Sequence, residues 1–197
     1  MNYLLQESRL PQNLQRVIDL YPDEIDYDSF VQLRLIKDSI KDMVDSKQFN
    51  LLIYSKNTGN GKTSWAVKIL LKYFDSIWAG NGLQPRGLFI NVPNLLLRLK
   101  DFQSTDSDLQ QIKKLLLDVD LVVWDDISST KASDYDNTQL LNYIDNRILA
   151  GKANIFTSNA DKITMQETLG NRLFSRVWNN SVQIELKGYD MRGVKND

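Results

Sequence analysis

The chain has 197 residues, is 42% hydrophobic and carries a formal net charge of −1. That is enough for one domain with a sizeable core, and too little positive charge to draw the whole protein onto nucleic acid or an anionic membrane. With no histidine and no cysteine, it excludes a Ser-His-Asp triad, a thiol nucleophile and the usual zinc sites. A general base must then be a carboxylate or a lysine, and any metal a hard cation on oxygen ligands, Mg2+ first.

Met1–Leu10 holds no apolar signal core, and no run approaches about 18 apolar residues, so a cytoplasmic protein without a membrane span is expected. The absence of cysteine fits a reducing compartment. Residues 1–28, rich in leucine and acids and holding Pro11 and Pro22, read as an N-terminal arm, and 29–197 as the core domain. From Ser29 to Ser46, Phe30, Leu33, Ile36, Ile40 and Met43 recur at three- and four-residue spacing, which predicts one amphipathic helix. Residues 50–55 read as a buried strand. In the next helix, from Ser64 to Phe74, Trp65, Ala66, Ile69, Leu70, Tyr73 and Phe74 share a face. Gly80-Asn81-Gly82 is a break.

A second strand spans 87–92, and Pro93 suits the first turn of a helix running to about Lys100. Leu109–Leu117 is helical, and a third strand runs from Asp120 to Trp124. A helix over 137–150 ends at Gly151. Ala153–Thr157 is a fourth strand, Thr164–Trp178 a helix and Ser181–Leu186 a fifth strand. Short apolar strands alternating with helices predict an α/β fold, a five-stranded parallel sheet with helices on both faces. The four tryptophans read as packing residues.

Two stretches carry chemistry. The first is Lys56-Asn57-Thr58-Gly59-Asn60-Gly61-Lys62-Thr63, which lies between the first strand and the helix opening at Ser64. A glycine-rich turn between strand and helix wraps an anion in backbone N–H groups, and the helix terminus adds positive potential. Thr58, Gly59, Asn60, Gly61, Lys62, Thr63 and Ser64 are the predicted phosphate-binding residues. Lys62 would reach the β/γ-phosphates and Thr63 would hold Mg2+. The strict pattern has glycine at position 56. Lys56 there either adds a phosphate contact or tunes the loop for slow turnover.

The second stretch is Leu121-Val122-Val123-Trp124-Asp125-Asp126, an apolar strand that delivers two acids at its carboxyl end. Ligands of open parallel sheets bind at that edge. Asp125 would hold Mg2+ and Asp126 would polarise an attacking water. An acidic pair after a strand is also a common solvated turn; the two motifs in this order favour the site. The guanine-reading Asn-Lys-x-Asp motif is absent, which points to ATP.

From Phe49 to Arg192 the order of motifs resembles the AAA+ ATPases, and within them the DnaC/DnaI-type replicative helicase loaders in their short phage-like form. Thr58–Thr63 resembles the Walker A loop, and Trp124-Asp125-Asp126-Ile127 the Walker B strand. Ile155-Phe156-Thr157-Ser158-Asn159 resembles the sensor 1 strand. Gly170 to Arg176, followed by Gly188-Tyr189-Asp190-Met191-Arg192, resembles the arginine-finger helix and the sensor 2 arginine. The resemblance implies a P-loop core without a separate helical lid domain. It also implies Asn159 as γ-phosphate sensor, Arg176 as a finger acting on a neighbouring subunit with Arg172 as helper, and Arg192 on its own subunit's phosphates. By spacing alone, Arg172 and Arg176 share a helix face that equally describes a solvated basic surface or a pairing with Glu167.

The implied partners are a replicative DNA helicase, single-stranded DNA, and copies of this chain arranged through the finger face. For DNA, the resemblance points to Pro93–Asp118, with Arg98, Lys100, Lys113, Lys114 and Phe102. The same engine also resembles transposition-associated ATPases of the IstB type. A small-molecule kinase is a further alternative, although no acceptor pocket or arginine-bearing lid is evident.

Overall fold

The computed structural model describes residues 1–15, 20–79, 82–100, 107–128 and 134–189. Among them are strands β1 (Asn50–Tyr54), β2 (Gly87–Asn91), β3 (Leu121–Asp125), β4 (Ala153–Ser158) and β5 (Val182–Glu185). They form one parallel sheet in the order β2-β3-β4-β1-β5. The helices are α1 (Asn2–Glu7), α2 (Tyr27–Asp38), α3 (Ile40–Asp45), α4 (Lys62–Ile77), α5 (Val92–Leu99), α6 (Ser107–Asp118), α7 (Asp134–Leu149) and α8 (Lys162–Asn179).

The central strands β3 and β4 are buried along their whole length, and their middles are apolar, because both faces are covered. Alternate side chains enter opposite cores. Leu52, Val122, Trp124 and Phe156 pack with residues of α5 to α8. Leu51, Ile53, Leu121, Val123 and Ile155 pack with residues of α1 to α4. Both sheet edges receive a hydrogen bond from outside the sheet or give one to it. Phe89 N–H on β2 donates to the Ser8 carbonyl at 2.7 Å, and the Glu185 carbonyl on β5 accepts from Ser29 Oγ at 2.8 Å. Leu4 and Leu10, from the first residues of the chain, are buried in the same core as Leu51.

Three expectations change. The helix predicted over 29–46 is two helices, α2 and α3, broken at Ser39, whose φ of −103° and ψ of 10° leave the helical region. The break re-aims the chain so that Ile40 and Val44 bury along with Phe30, Leu33 and Ile36. Periodicity does not register the change of direction, because the spacing of apolar residues persists through it. Among the tryptophans, Trp65, Trp124 and Trp178 are buried, but Trp78, at the end of α4, is 57% exposed. The helix predicted over 164–178 is kinked at Gly170, with φ 69° and ψ 162°. Gly80 and Asn81 lie outside the described residues.

The strand ends opposite the two motifs are closed by buried charge. Arg147 of α7 is 1% exposed. It donates to Asn154 Oδ1 at 2.7 Å and to the carbonyls of Leu116, Val119, Asp120 and Ala153. Beside it, Asp120 accepts from Arg86 Nε, from Lys152 Nζ at 3.1 Å and from Tyr73 Oη at 3.0 Å. Burial works to raise the Asp120 carboxyl, but hydrogen bonds and charge from these neighbours outweigh it and hold it below the usual carboxylate range.

Two predictions follow from this end of the sheet. Arg147→Ala strands several buried carbonyls and should cost about 3 kcal/mol or more in urea unfolding. Because its carboxyl is depressed in the folded state, Asp120 adds stability above its unfolded value and loses it as pH falls through the folded one. Urea curves of wild type and Asp120→Asn should therefore differ at neutral pH and converge once the pH falls below the usual carboxylate range.

Candidate functional site

β1 hands over to α4 through a loop whose geometry requires its glycines. Gly59 has φ 76° and Gly61, capping α4, has φ 94°, values that side chains rarely adopt. Position 56 imposes no such demand, since Lys56 is not among the residues of positive φ. A lysine replaces the pattern's first glycine there without backbone strain.

The loop is held from within. The buried Ser55 Oγ accepts from Asn57 N–H at 2.9 Å and from Asn60 Nδ2 at 2.7 Å. Asn60 is fully buried and also donates to the Leu186 carbonyl at 3.1 Å. Lys62, 6% exposed, places its ammonium on the Asn57 carbonyl at 2.6 Å and Asn60 Oδ1 at 3.0 Å. Thr58 is exposed on the loop, and Ser64 lies partly buried in the first turn of α4.

The chain on either side also bears on the loop. Asn57 Nδ2 donates to the Lys187 carbonyl at 2.8 Å, just beyond β5. Asp26, fully buried, accepts from the N–H groups of Lys187 at 2.7 Å and Gly188 at 2.9 Å. A Cβ on Gly188 would stand 2.5 Å from Asp23 Oδ2 and 2.7 Å from Asp26 Oδ2, so a side chain there would push these carboxylates aside. Leu20 lies over Gly61, its Cδ2 3.4 Å from where a Cβ would sit.

The acids arrive from β3. Asp125 is 8% exposed. Its Oδ1 accepts from Thr63 Oγ1 at 2.7 Å and from Thr157 Oγ1 at 2.8 Å. Thr157, on the intervening strand β4, also accepts the Asp126 N–H at 2.9 Å. Asp126 turns sharply, with φ 60°, and its Oδ1 accepts from Asn159 Nδ2 at 2.9 Å. Lys62, Thr63, Asp125, Asp126 and Asn159 therefore share the carboxyl edge of β1, β3 and β4. The hydroxyl of Thr63 and the carboxylate of Asp125 form a hard-oxygen pair suited to Mg2+.

Ser55, Asn57, Asp26 and Thr157 were missed as site-shaping residues by sequence reasoning, and Asn60, predicted to bind phosphate, is a buried brace of the loop. Thr157 lay within the quoted sensor 1 stretch, but nothing in that stretch announces that it bridges the two motifs.

Lys56 faces away from the role of a backbone hinge. Its Nζ lies 2.8 Å from Asp161 Oδ2. Asp161 in turn caps α8, its Oδ1 accepting the Thr164 N–H at 2.8 Å. The Lys56 hydrogen bond and the Thr164 N–H hold the Asp161 carboxyl well below the usual carboxylate range.

Arg172 and Arg176 lie beyond the Gly170 kink of α8, on a separate element from the cluster above. Arg176 pairs with Asp145 of α7, rather than with the Glu167 that spacing suggested. Arg172 is exposed. Arg192, with Asp190 and Met191, lies outside the described residues, as does Phe102. In the proposed DNA segment, Arg98 pairs with Asp108 at 2.9 Å and Lys100 with Asp136 at 2.9 Å. Two of its four basic groups are thus already engaged by acids of this chain. No helix of the described residues is long and apolar enough to cross a membrane.

No protein-family model and no curated protein matches the chain. Solved structures do. The DnaC helicase loader superposes with a TM-score of 0.73 at 18% identity, covering 90% of this chain and 100% of its own. DnaI superposes at 0.68 and 19% identity, covering 94% and 98%. The chain shares its fold with the DnaC and DnaI structures. Replication initiator DnaA bound to AMPPCP and single-stranded DNA superposes at 0.66 and 14% identity, covering 90% of this chain and 51% of that one. The sheet order accounts for the site's position. β1 is inserted beside β4, so the loop after β1 and the acids after β3 face one another across a single strand.

The backbone at Asp126 yields a prediction. Asp and Asn tolerate a left-handed φ better than other side chains. Asp126→Asn should stay within about 0.5 kcal/mol of wild type in urea unfolding, whereas Asp126→Ala should lose about 1 kcal/mol.

Proposed function

We propose that this chain binds and hydrolyses Mg-ATP, assembles side by side with copies of itself, and loads a replicative hexameric helicase onto single-stranded DNA in the cytoplasm. The observation that carries the nucleotide reading is the meeting of Thr63 and Asp125 at 2.7 Å, next to a buried Lys62 at the head of α4. The names of the DnaC and DnaA structures, a helicase loader and an initiator bound to AMPPCP and single-stranded DNA, support the choice of task. In this reading 29–197 is the ATPase core and 1–28 an arm laid against it.

The residues divide the work. The N–H groups of the Gly59–Gly61 turn and the first turn of α4, Ser64 included, receive phosphate. Lys62 exchanges its two loop acceptors for phosphate oxygens. Bound Mg2+, held by Thr63 and Asp125, would supply charge neutralisation. Asp126 accepts hydrogen bonds from water at the γ-phosphate, and Asn159, now on Asp126, orients that water. Arg176, released from Asp145, reaches the phosphate of a neighbouring subunit with Arg172 beside it. Such a group is worth roughly 10³-fold in rate. Arg192 contacts the phosphates of its own subunit.

Lys62→Ala should abolish ATP binding in a fluorescent-nucleotide titration, and unchanged affinity would remove the phosphate-loop assignment. Arg176→Ala should be inactive alone, yet a mixture with Lys62→Ala should recover part of the hydrolysis, because each variant supplies what the other lacks. For the task, the chain should co-elute with a replicative helicase in the presence of ATP and not with a transposase. The opposite result would favour the IstB-like use.

A further inference from the structure

The loop that carries Asn159 runs from the end of β4 at Ser158 to the start of α8 at Lys162. Asn159 holds the Asp126 carboxylate, so the position of this short loop sets the position of the reacting edge. On its inner side the loop is fixed by Ser158 Oγ, which accepts the Ala160 N–H at 3.1 Å and contacts Ser128 Oγ. On its outer side stands Asp161, with one carboxylate oxygen on the Thr164 N–H and the other on Lys56. Lys56 belongs to the phosphate loop. One ion pair therefore ties the loop after β1 to the loop after β4, at the mouth between them.

Three features separate this pair from a chance surface contact. Lys56 occupies a position where the strict motif carries glycine, and the backbone there does not need one. Its partner also makes the helix cap, so the carboxylate is held in place before the lysine arrives. Asp161 keeps only 23% side-chain exposure, while the lysine keeps 70%. The acid is therefore the fixed anchor and the lysine the arm that comes to it.

We propose that Lys56 is a positioning residue, which through Asp161 holds the Asn159 loop against the phosphate loop and keeps Asn159 and Asp126 aligned with Lys62. The proposal rests on the ATPase reading of the site and deepens it. Lys56 in this role is not a phosphate ligand. Removing it leaves nucleotide affinity nearly intact and lowers turnover. The effect is modest, because exposed ion pairs are screened by water and salt.

The test is a double-mutant cycle on Lys56→Gly and Asp161→Asn. Asparagine still caps a helix, so Asp161→Asn removes the ion pair and leaves the cap. Steady-state hydrolysis should show each single variant reduced about threefold in kcat at nearly unchanged KM. The double variant should be no worse than either single one. Independent effects that multiply, or no effect at all, overturn the proposal. So does a tenfold rise in KM for Lys56→Gly that Asp161→Asn does not share, which would make Lys56 a phosphate ligand. Amide hydrogen exchange of the nucleotide-free proteins decides the pair separately from the ATPase reading. Both variants should speed exchange at residues 159–164, and unchanged exchange overturns the tie. Faster exchange in both variants, with no turnover by the wild-type protein, sinks the ATPase reading alone.

Discussion

The candidate site hangs on one carboxylate. Asp125 ends β3, and the phosphate loop follows β1, but β4 lies between those strands. The two motifs can meet only across the end of β4. Thr157 makes that crossing by donating to Asp125 and accepting from the Asp126 N–H. A threonine suits the position because its hydroxyl both gives and takes a hydrogen bond. With Asp125 held on one side by Thr157, the same oxygen is presented to Thr63 on the other.

A second layer fixes the loop itself. Its internal acceptors, Asn57 O and Asn60 Oδ1, hold the Lys62 ammonium at low exposure. An ammonium buried without acceptors would be costly. Asn60 in turn is pinned by Ser55 and by the Leu186 carbonyl, so the chain beyond β5 becomes a wall of the loop. The segment before α2 adds Asp26, whose buried carboxylate is satisfied by two backbone N–H groups of that same wall. Residues near the two ends of the chain thus brace a loop that neither precedes nor follows them directly.

The two rims of the sheet are built on different terms. At the rim away from the site, Arg147 spends its donors on backbone carbonyls and Asp120 is surrounded by Arg86, Lys152 and Tyr73. Those groups are committed to structure. At the site rim, Asp126 holds a left-handed backbone, Asn159 is exposed and Lys62 rests on acceptors it can exchange. Arg176 on Asp145 belongs with the exchangeable set.

Much of this was legible in the amino-acid sequence, and the reason is local. Apolar runs of strand length, Pro93 at a helix start, and Gly59 and Gly61 before Lys62 state requirements of a few neighbouring residues, so they place elements and the two motifs without knowledge of the fold. The parallel sheet follows from strands alternating with helices. What the sequence could not state is which distant groups meet. Ser39 breaks a helix whose apolar spacing runs on unbroken. Arg176 finds Asp145 on the packed neighbour α7 rather than Glu167 on its own helix. Lys56 finds Asp161 only because β1 is inserted beside β4. Sequence by itself determined the elements, the residue chemistry and the likeness to a nucleotide-binding engine. Tertiary structure decided the partners of every charged group at the site, because an ion pair is fixed by distance in space and leaves no periodic trace along the chain.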